Sequence, residues 1–259
     1  MVSPIDRLKQ IVERLRSPDG CPWDREQTHA SLKPHIIEEC YELIEAIDDQ
    51  DDQGMREELG DVLLQVVLHA QMAGEEGRFD FDSVAEVISE KLIRRHPHVF
   101  GDTKLATSDA VLKQWDAIKR GEKTDRESAL DGVPRGLPGL AKAQKLQSKA
   151  TRVGFDWPDA VGPLEKVKEE ISEIEQAGTG EKLAEELGDL LFSVVNFARK
   201  NQLDAEELVQ AANRKFSDRF RKMEALAVSR GLNFSCLTLS EMDQLWNEVK
   251  QSGSSSSAV

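Results

Sequence analysis

Glu57-Glu58-Leu59-Gly60-Asp61-Val62-Leu63-Leu64 returns later in the chain as Glu185-Glu186-Leu187-Gly188-Asp189-Leu190-Leu191-Phe192. Each copy reads as a helix with acids at its start and apolar residues along it. Each follows a second acidic segment: Glu38-Glu39-Cys40-Tyr41-Glu42 before the first, Glu169-Glu170-Ile171-Ser172-Glu173 before the second. Trp23 and Trp115 flank the first pair as Trp157 and Trp246 flank the second. All four tryptophans are thereby matched. The repeat makes the chain two homologous all-α halves; two copies are too few for a solenoid, so a tandem domain pair is expected.

Helical periodicity extends outward from these segments, and no convincing strand alternation appears. Ser3-Pro4-Ile5-Asp6 has the form of a helix start, and Ser17-Pro18-Asp19-Gly20 ends that helix. Cys21-Pro22-Trp23-Asp24 is expected in a loop, with long helices at about 28–49 and 54–75. Further helices are expected at about 82–95 and 108–120, then at 139–152, 162–177, 181–200, 204–230 and 239–250. The domains predicted are 1–120 and 139–251, with a charged, then Gly- and Pro-rich linker at 121–138. The serine-rich tail, 252–259, is expected to be disordered.

At 259 residues and a formal charge of −14, the chain is a poor match for a nucleic acid polymer. No apolar run is long enough for a membrane span, and the charged N-terminus has no signal core. Cys21, Cys40 and Cys236 form no metal or redox spacing. These features fit a reducing cytoplasm.

The acids carry the chemistry. On a helix Glu39 and Glu42 lie about 60° apart, with Glu38 about 40° from Glu42 on the other side. Glu57, Glu58 and Asp61 repeat this on the next helix. Joined by a short turn, the two helices should pack antiparallel, and facing carboxylates would repel unless a cation lies between them. Oxygen ligands without Cys or His select Mg²⁺ or Mn²⁺. Ile36, Ile37, Leu43, Leu63, Leu64, Val66 and Val67 place the acids beside a core rather than on a plain solvated face. The second half also has cations in register. Lys166 and Lys182 lie one turn before Glu170 and Glu186, and Lys215 and Arg219 share a face of the following helix.

With Cys21-Pro22-Trp23-Asp24, Arg94-Arg95-His96-Pro97-His98-Val99-Phe100, Val153-Gly154-Phe155-Asp156-Trp157 and Arg219-Phe220-Arg221, the pattern resembles the all-α nucleoside triphosphate pyrophosphohydrolases, and within them the tandem MazG family. The resemblance runs from about residue 3 to 251. It implies two MazG-like helical bundles and Mg²⁺-dependent hydrolysis of NTPs and dNTPs to the monophosphate and pyrophosphate, with Mn²⁺ as a substitute. It also implies broad base specificity and a role in nucleotide-pool sanitation. The implied metal ligands are Glu170, Glu173, Glu186 and Asp189, with Glu39, Glu42, Glu58 and Asp61 their counterparts. Lys166, Lys182, Lys215, Arg219 and Trp246 would contact the nucleotide. Either Glu169 or Glu185 would orient the attacking water or bind a further ion. The first half departs from the pattern: His35 stands at Lys166 and Gly54 at Lys182, although Lys91 and Arg95 match Lys215 and Arg219.

Trp23 and Trp157 are expected to plug the bundle ends. His96 and His98 are expected to make a helix stop, and Gly60 and Gly188 to mark close helix approach. Small halves with apolar helices suggest a homodimer. The alternative function is a regulatory or adaptor protein that binds Mg²⁺-nucleotide without hydrolysis. A di-iron bundle is disfavoured because neither helix carries a Glu-x-x-His pair.

Overall fold

A computed structural model describes residues 2–122 and 127–254, without the side chains of 109, 120 and 252–254. Every regular element among these residues is helical. The chain divides into two compact units, Met1–Thr124 and Asp125–Val259.

The first unit contains α1 (Pro4–Arg16), α2 (Pro22–Glu26), α3 (Lys33–Asp48), α4 (Asp52–Glu75), α5 (Phe81–Arg95), α6 (Pro97–Phe100) and α7 (Ser108–Gly121). Ser3 caps α1 by accepting from the Asp6 amide, with Pro4 at the first helical position. The segment expected as a loop around Trp23 is the short helix α2. Pro22 starts it, and residues 27–32 separate it from α3, which therefore begins later than periodicity suggested. Val12, Leu32, Val67, Leu68 and Met72 form the buried core, with Ile5, Leu8, Leu64 and Phe81 packed around it. His96 ends α5 and Pro97 restarts the chain as the one-turn α6.

The second unit contains α8 (Gly139–Thr151), α9 (Val161–Ala177), α10 (Glu181–Lys200), α11 (Ala205–Ser229), a 3₁₀ turn (Phe234–Cys236) and α12 (Leu239–Ser254). Asp204 caps α11 through the amides of Glu206 and Glu207. Thr238 and Glu241 cap α12 reciprocally. Val195, Ala198 and Ala205 form one small core beside α8; Met223, Ala227, Leu245 and Val249 form another between α11 and α12. The expected linker is partly ordered onto this unit: Lys149 Nζ donates to the Asp131 carbonyl at 2.7 Å. Helix α12 continues to Ser254, into the expected tail; residues 255–259 and 123–126 lie outside the described residues. No helix among the described residues is long and apolar enough to cross a membrane.

Candidate active site

Both units present their acids on a helix hairpin, α3–α4 or α9–α10. The turns that close these hairpins are built differently. Gly178 and Gly180, at φ 73° and 89°, make the α9–α10 turn, where a side chain would be strained. Gln50, at φ 56°, and the cap Asp51 make the first.

In the second unit, Glu170, Glu186 and Asp189 each offer a carboxylate oxygen, all within 4.8 Å of one another. Glu170 is 2% exposed. Lys166 Nζ donates at 2.9 Å to Oε1 of Glu170 and at 2.9 Å to Oε1 of Glu169. Those bonds hold the Lys166 ammonium charged well above the usual lysine range. The second oxygen of Glu170, Oε2, is buried with no hydrogen-bond partner. Glu173 belongs to the same electrostatic group. Burial first, then the neighbouring Glu186 carboxylate, push its carboxyl up. A buried carboxylate oxygen without a donor, facing two further carboxylates, fits a hard divalent cation. Glu170, Glu173, Glu186 and Asp189 would supply its oxygen ligands. Glu185 is exposed and pairs with no cation among the described residues.

The first unit repeats the acids without the ammonium. Glu39, Glu58 and Asp61 also place oxygens within 4.8 Å. Burial, then Asp61, Glu42 and Glu58, push the Glu39 carboxyl up; burial, then Glu42 and Asp61, do the same for Glu58. His35 pairs with Glu38 at 3.5 Å, not with Glu39. Arg95 is already engaged. It bonds Glu122, and its guanidinium lies 5.3 Å from the centre of the Trp115 ring. Bonds from Arg95 and Arg94 lower the Glu122 pKa to about 2. The matching Lys215 and Arg219 pair with no acid among the described residues.

A cavity of 550 Å³ opens beside the second cluster, with Lys166, Glu170 and Asp189 in its wall. Phe155, Trp157 and Phe192 make much of the remainder. Trp157, expected to plug a bundle end, is one wall of this cavity. Its loop is held over the cavity by Asp156, which pairs with Arg199 and Lys200, and by Lys200 Nζ, which donates to the Trp157 carbonyl. Burial pushes the Asp156 carboxyl up, but the bonds from Arg199 and Lys200 leave it below its usual range. Trp246 lies elsewhere, packed on the core between α11 and α12 with its ring 5.4 Å from Phe216. Lys182, Lys215, Arg219 and Trp246 do not line the cavity. A Cβ added at Gly60 or Gly188 would meet nothing within 4 Å, so neither glycine marks close helix approach within the chain.

Sequence reasoning missed Gln147, Ser193, Asn196 and the Asp156 clamp. The signal was available by reading one half against the other, because Gln147 and Asn196 stand where the first half has Val12 and Leu68.

The MazG nucleotide pyrophosphohydrolase domain model matches residues 27–100 and 163–223. A nucleoside triphosphate pyrophosphohydrolase/pyrophosphatase MazG of Thermotoga maritima is 50% identical over 95% of this chain and 95% of its own. A nucleoside triphosphate pyrophosphohydrolase of Escherichia coli K12 is 48% identical, over 96% of this chain and 98% of its own. One of Mycobacterium tuberculosis is 34% identical, over 85% of this chain and 58% of its own.

Proposed function

The chain belongs to the MazG nucleotide pyrophosphohydrolase family, and from that premise we propose that its second half hydrolyses NTPs and dNTPs of any base to the monophosphate and pyrophosphate, with Mg²⁺ as cofactor and nucleotide-pool sanitation as its role. The observation that carries the metal reading is the buried, partnerless Oε2 of Glu170 among carboxylates. A divalent cation there would neutralise triphosphate oxygens and make the α-phosphorus more electrophilic.

The chain's own residues supply the rest. Lys166 bridges Glu169 and Glu170, so Glu169 is already paired with an ammonium. Glu185 is the acid left to orient the attacking water and take its proton. Oxygen adds to the α-phosphorus, the bond to the bridging oxygen breaks, and pyrophosphate leaves with its charge offset by Lys182, Lys215 and Arg219.

The assembly proposed is a homodimer. Ile37, Tyr41 and Ile44 lie one turn apart along α3 and are each about half exposed (55%, 45% and 49%). A second copy offers the same stripe, as a two-fold contact requires. Light scattering giving the mass of one chain would refute it.

Pyrophosphate release from each NTP and dNTP, with Mg²⁺ and with EDTA, tests the function. The expected result is metal-dependent release from all of them. Orthophosphate and diphosphate products would place scission at the wrong bond. Tight binding without release would favour the regulatory alternative.

A further inference from the structure

All five histidines lie in the first half, and two of them meet: His29, in the turn between α2 and α3, and His69, on α4. Their rings stack with centroids 5.0 Å apart and planes 9° apart, and the two Nδ1 atoms lie 2.7 Å from each other. Both residues are half-buried, and His69 stands between Leu68 and Ala70, which are buried. The duplicated frame does not require a histidine here, because the repeated acidic helix sets Phe197 against His69.

Arg78, in the α4–α5 turn, fixes where the protons are. Its Nη2 bonds Nε2 of His29, and a guanidinium only donates, so that ring nitrogen accepts. Neutral His29 therefore carries its proton on Nδ1, which donates to Nδ1 of His69. The His69 proton is left on Nε2. The same order excludes a metal ion between the rings, because His29 has no lone pair on the nitrogen that faces His69.

The chain from Arg78 through His29 to His69 exists only while both rings are neutral. A proton added to His29 goes to Nε2 and meets the Arg78 N–H. One added to His69 goes to Nδ1 and meets the His29 N–H. Burial, then His29, hold the His69 pKa below the usual histidine range. No carboxylate among the described residues pairs with either ring. From the elements packed against α4, Arg16 of α1 is taken by Glu75, Lys9 of α1 by Asp82 of α5, and His35 of α3 by Glu38. Asp80 caps α5, and Glu76 pairs with Arg78 itself.

This chain ties two turns together. Residues 28–31 close on themselves, the hydroxyls of Thr28 and Ser31 each accepting the other's amide, and lead directly to Leu32, which is 1% exposed in the first core. The Arg78 amide is bonded to the Ala73 carbonyl at the end of α4.

We propose that Arg78, His29 and His69 form a proton-operated latch, which holds the 28–32 segment on α4 at neutral pH and releases it on acidification. The folded His69 pKa is depressed, so the unfolded segment takes up protons first. The latch therefore contributes in full above the ordinary histidine range, and its contribution is lost as pH falls from there through the folded value.

Two measurements on the full chain test this. Nitrogen NMR of the imidazoles at about pH 7.5, above the ordinary histidine range, should show His29 with its proton on Nδ1 and His69 with its proton on Nε2. A proton on Nε2 of His29 would overturn the assignment. Hydrogen exchange, corrected for the intrinsic rate, reads the segment itself through the Leu32 and Lys33 amides, which bond the carbonyls of Thr28 and Ala30. Their protection should fall at least about fivefold between about pH 7.5 and about pH 5.5, the scale of one hydrogen bond lost. His29→Phe combined with His69→Phe keeps two aromatic rings and should abolish that fall. The Glu39 and Glu58 carboxyls, also pushed up, are the same in both proteins and cancel from the comparison. A fall that persists in the double variant, or a wild type that shows none, would overturn the latch. If the double variant does not fold, the tautomers and the wild-type exchange decide alone. Added Zn²⁺ should leave the wild-type tautomers unchanged. Zn²⁺ binding that His69→Phe removes would replace the latch with a metal site.

Discussion

Glu39 and Glu170 occupy the same step of matching helix hairpins and face matching carboxylates, but their other neighbours differ. Glu170 has Lys166 against one oxygen and an aromatic cavity beyond the other. Glu39 has carboxylates around it, and His35 one turn before it pairs with Glu38 instead. The cations also diverge. Arg95 is committed to Glu122 and Trp115, while Arg219 at the matching place stays uncommitted among the described residues. A duplicated frame thus keeps its acids in both copies, while only the second has a lysine bonded to the buried acid and a cavity beside it.

The sharpest way to break this comparison is a matched pair of isosteric changes. Glu170→Gln should lower pyrophosphate release at least about a hundredfold, the scale of losing a central charge-stabilising group. Glu39→Gln should lower it less than about twofold. Equal losses, with circular dichroism unchanged, would mean that both halves turn over substrate.

The next effect is on stability. Val12→Gln transplants the second half's residue into the first core and should destabilise unit 1 by about 2–3 kcal/mol, because the amide would be buried without partners. Gln147→Val, the reverse change, should leave unit 2 as stable or raise it. Chemical denaturation of each variant reads this, and a destabilised Gln147→Val would show that the amide is structural.

Smaller again is the loss of the placed ammonium. Lys166→Met should cost about 1–2 kcal/mol, below the figure for a fully buried pair because Lys166 is 37% exposed. Added Mg²⁺ should recover much of it. His35→Met should change stability by under about 0.5 kcal/mol. Thermal scans with and without Mg²⁺ separate the two.

The smallest effect is a pH dependence. Glu122 has a folded-state pKa of about 2, below its unfolded value, so its contribution is present above the ordinary carboxylate range and fades as pH falls toward 2. Glu122→Gln should flatten the acid side of the stability profile of unit 1. An unchanged profile would mean that Arg95 is held by Trp115 instead.

Much of this was legible in the sequence. The two halves, the hairpins and the acids follow from periodicity and from an eight-residue repeat that fixes which face each acid takes. Lys166 was legible because four residues make one turn. The cavity was not, because its walls come from α8, the Trp157 loop, α9 and α10, whose meeting depends on tertiary packing. The packing of Trp246 was not legible either: an aromatic at a matching position has no direction until its neighbours, here Phe216 and Phe220, are known. Gln50 in the left-handed region was equally invisible, since turn residues declare themselves mainly when they are glycine.

The Lys166–Glu170 bond has a consequence for how the chain is made. A newly synthesised second half can bury Glu170 at once, because its counter-charge arrives on the same helix four residues earlier. Folding of that half then needs no metal to offset the Glu170 charge. The first half carries no such internal stand-in beside Glu39, so its crowded carboxylates oppose the closing of the α3–α4 hairpin directly.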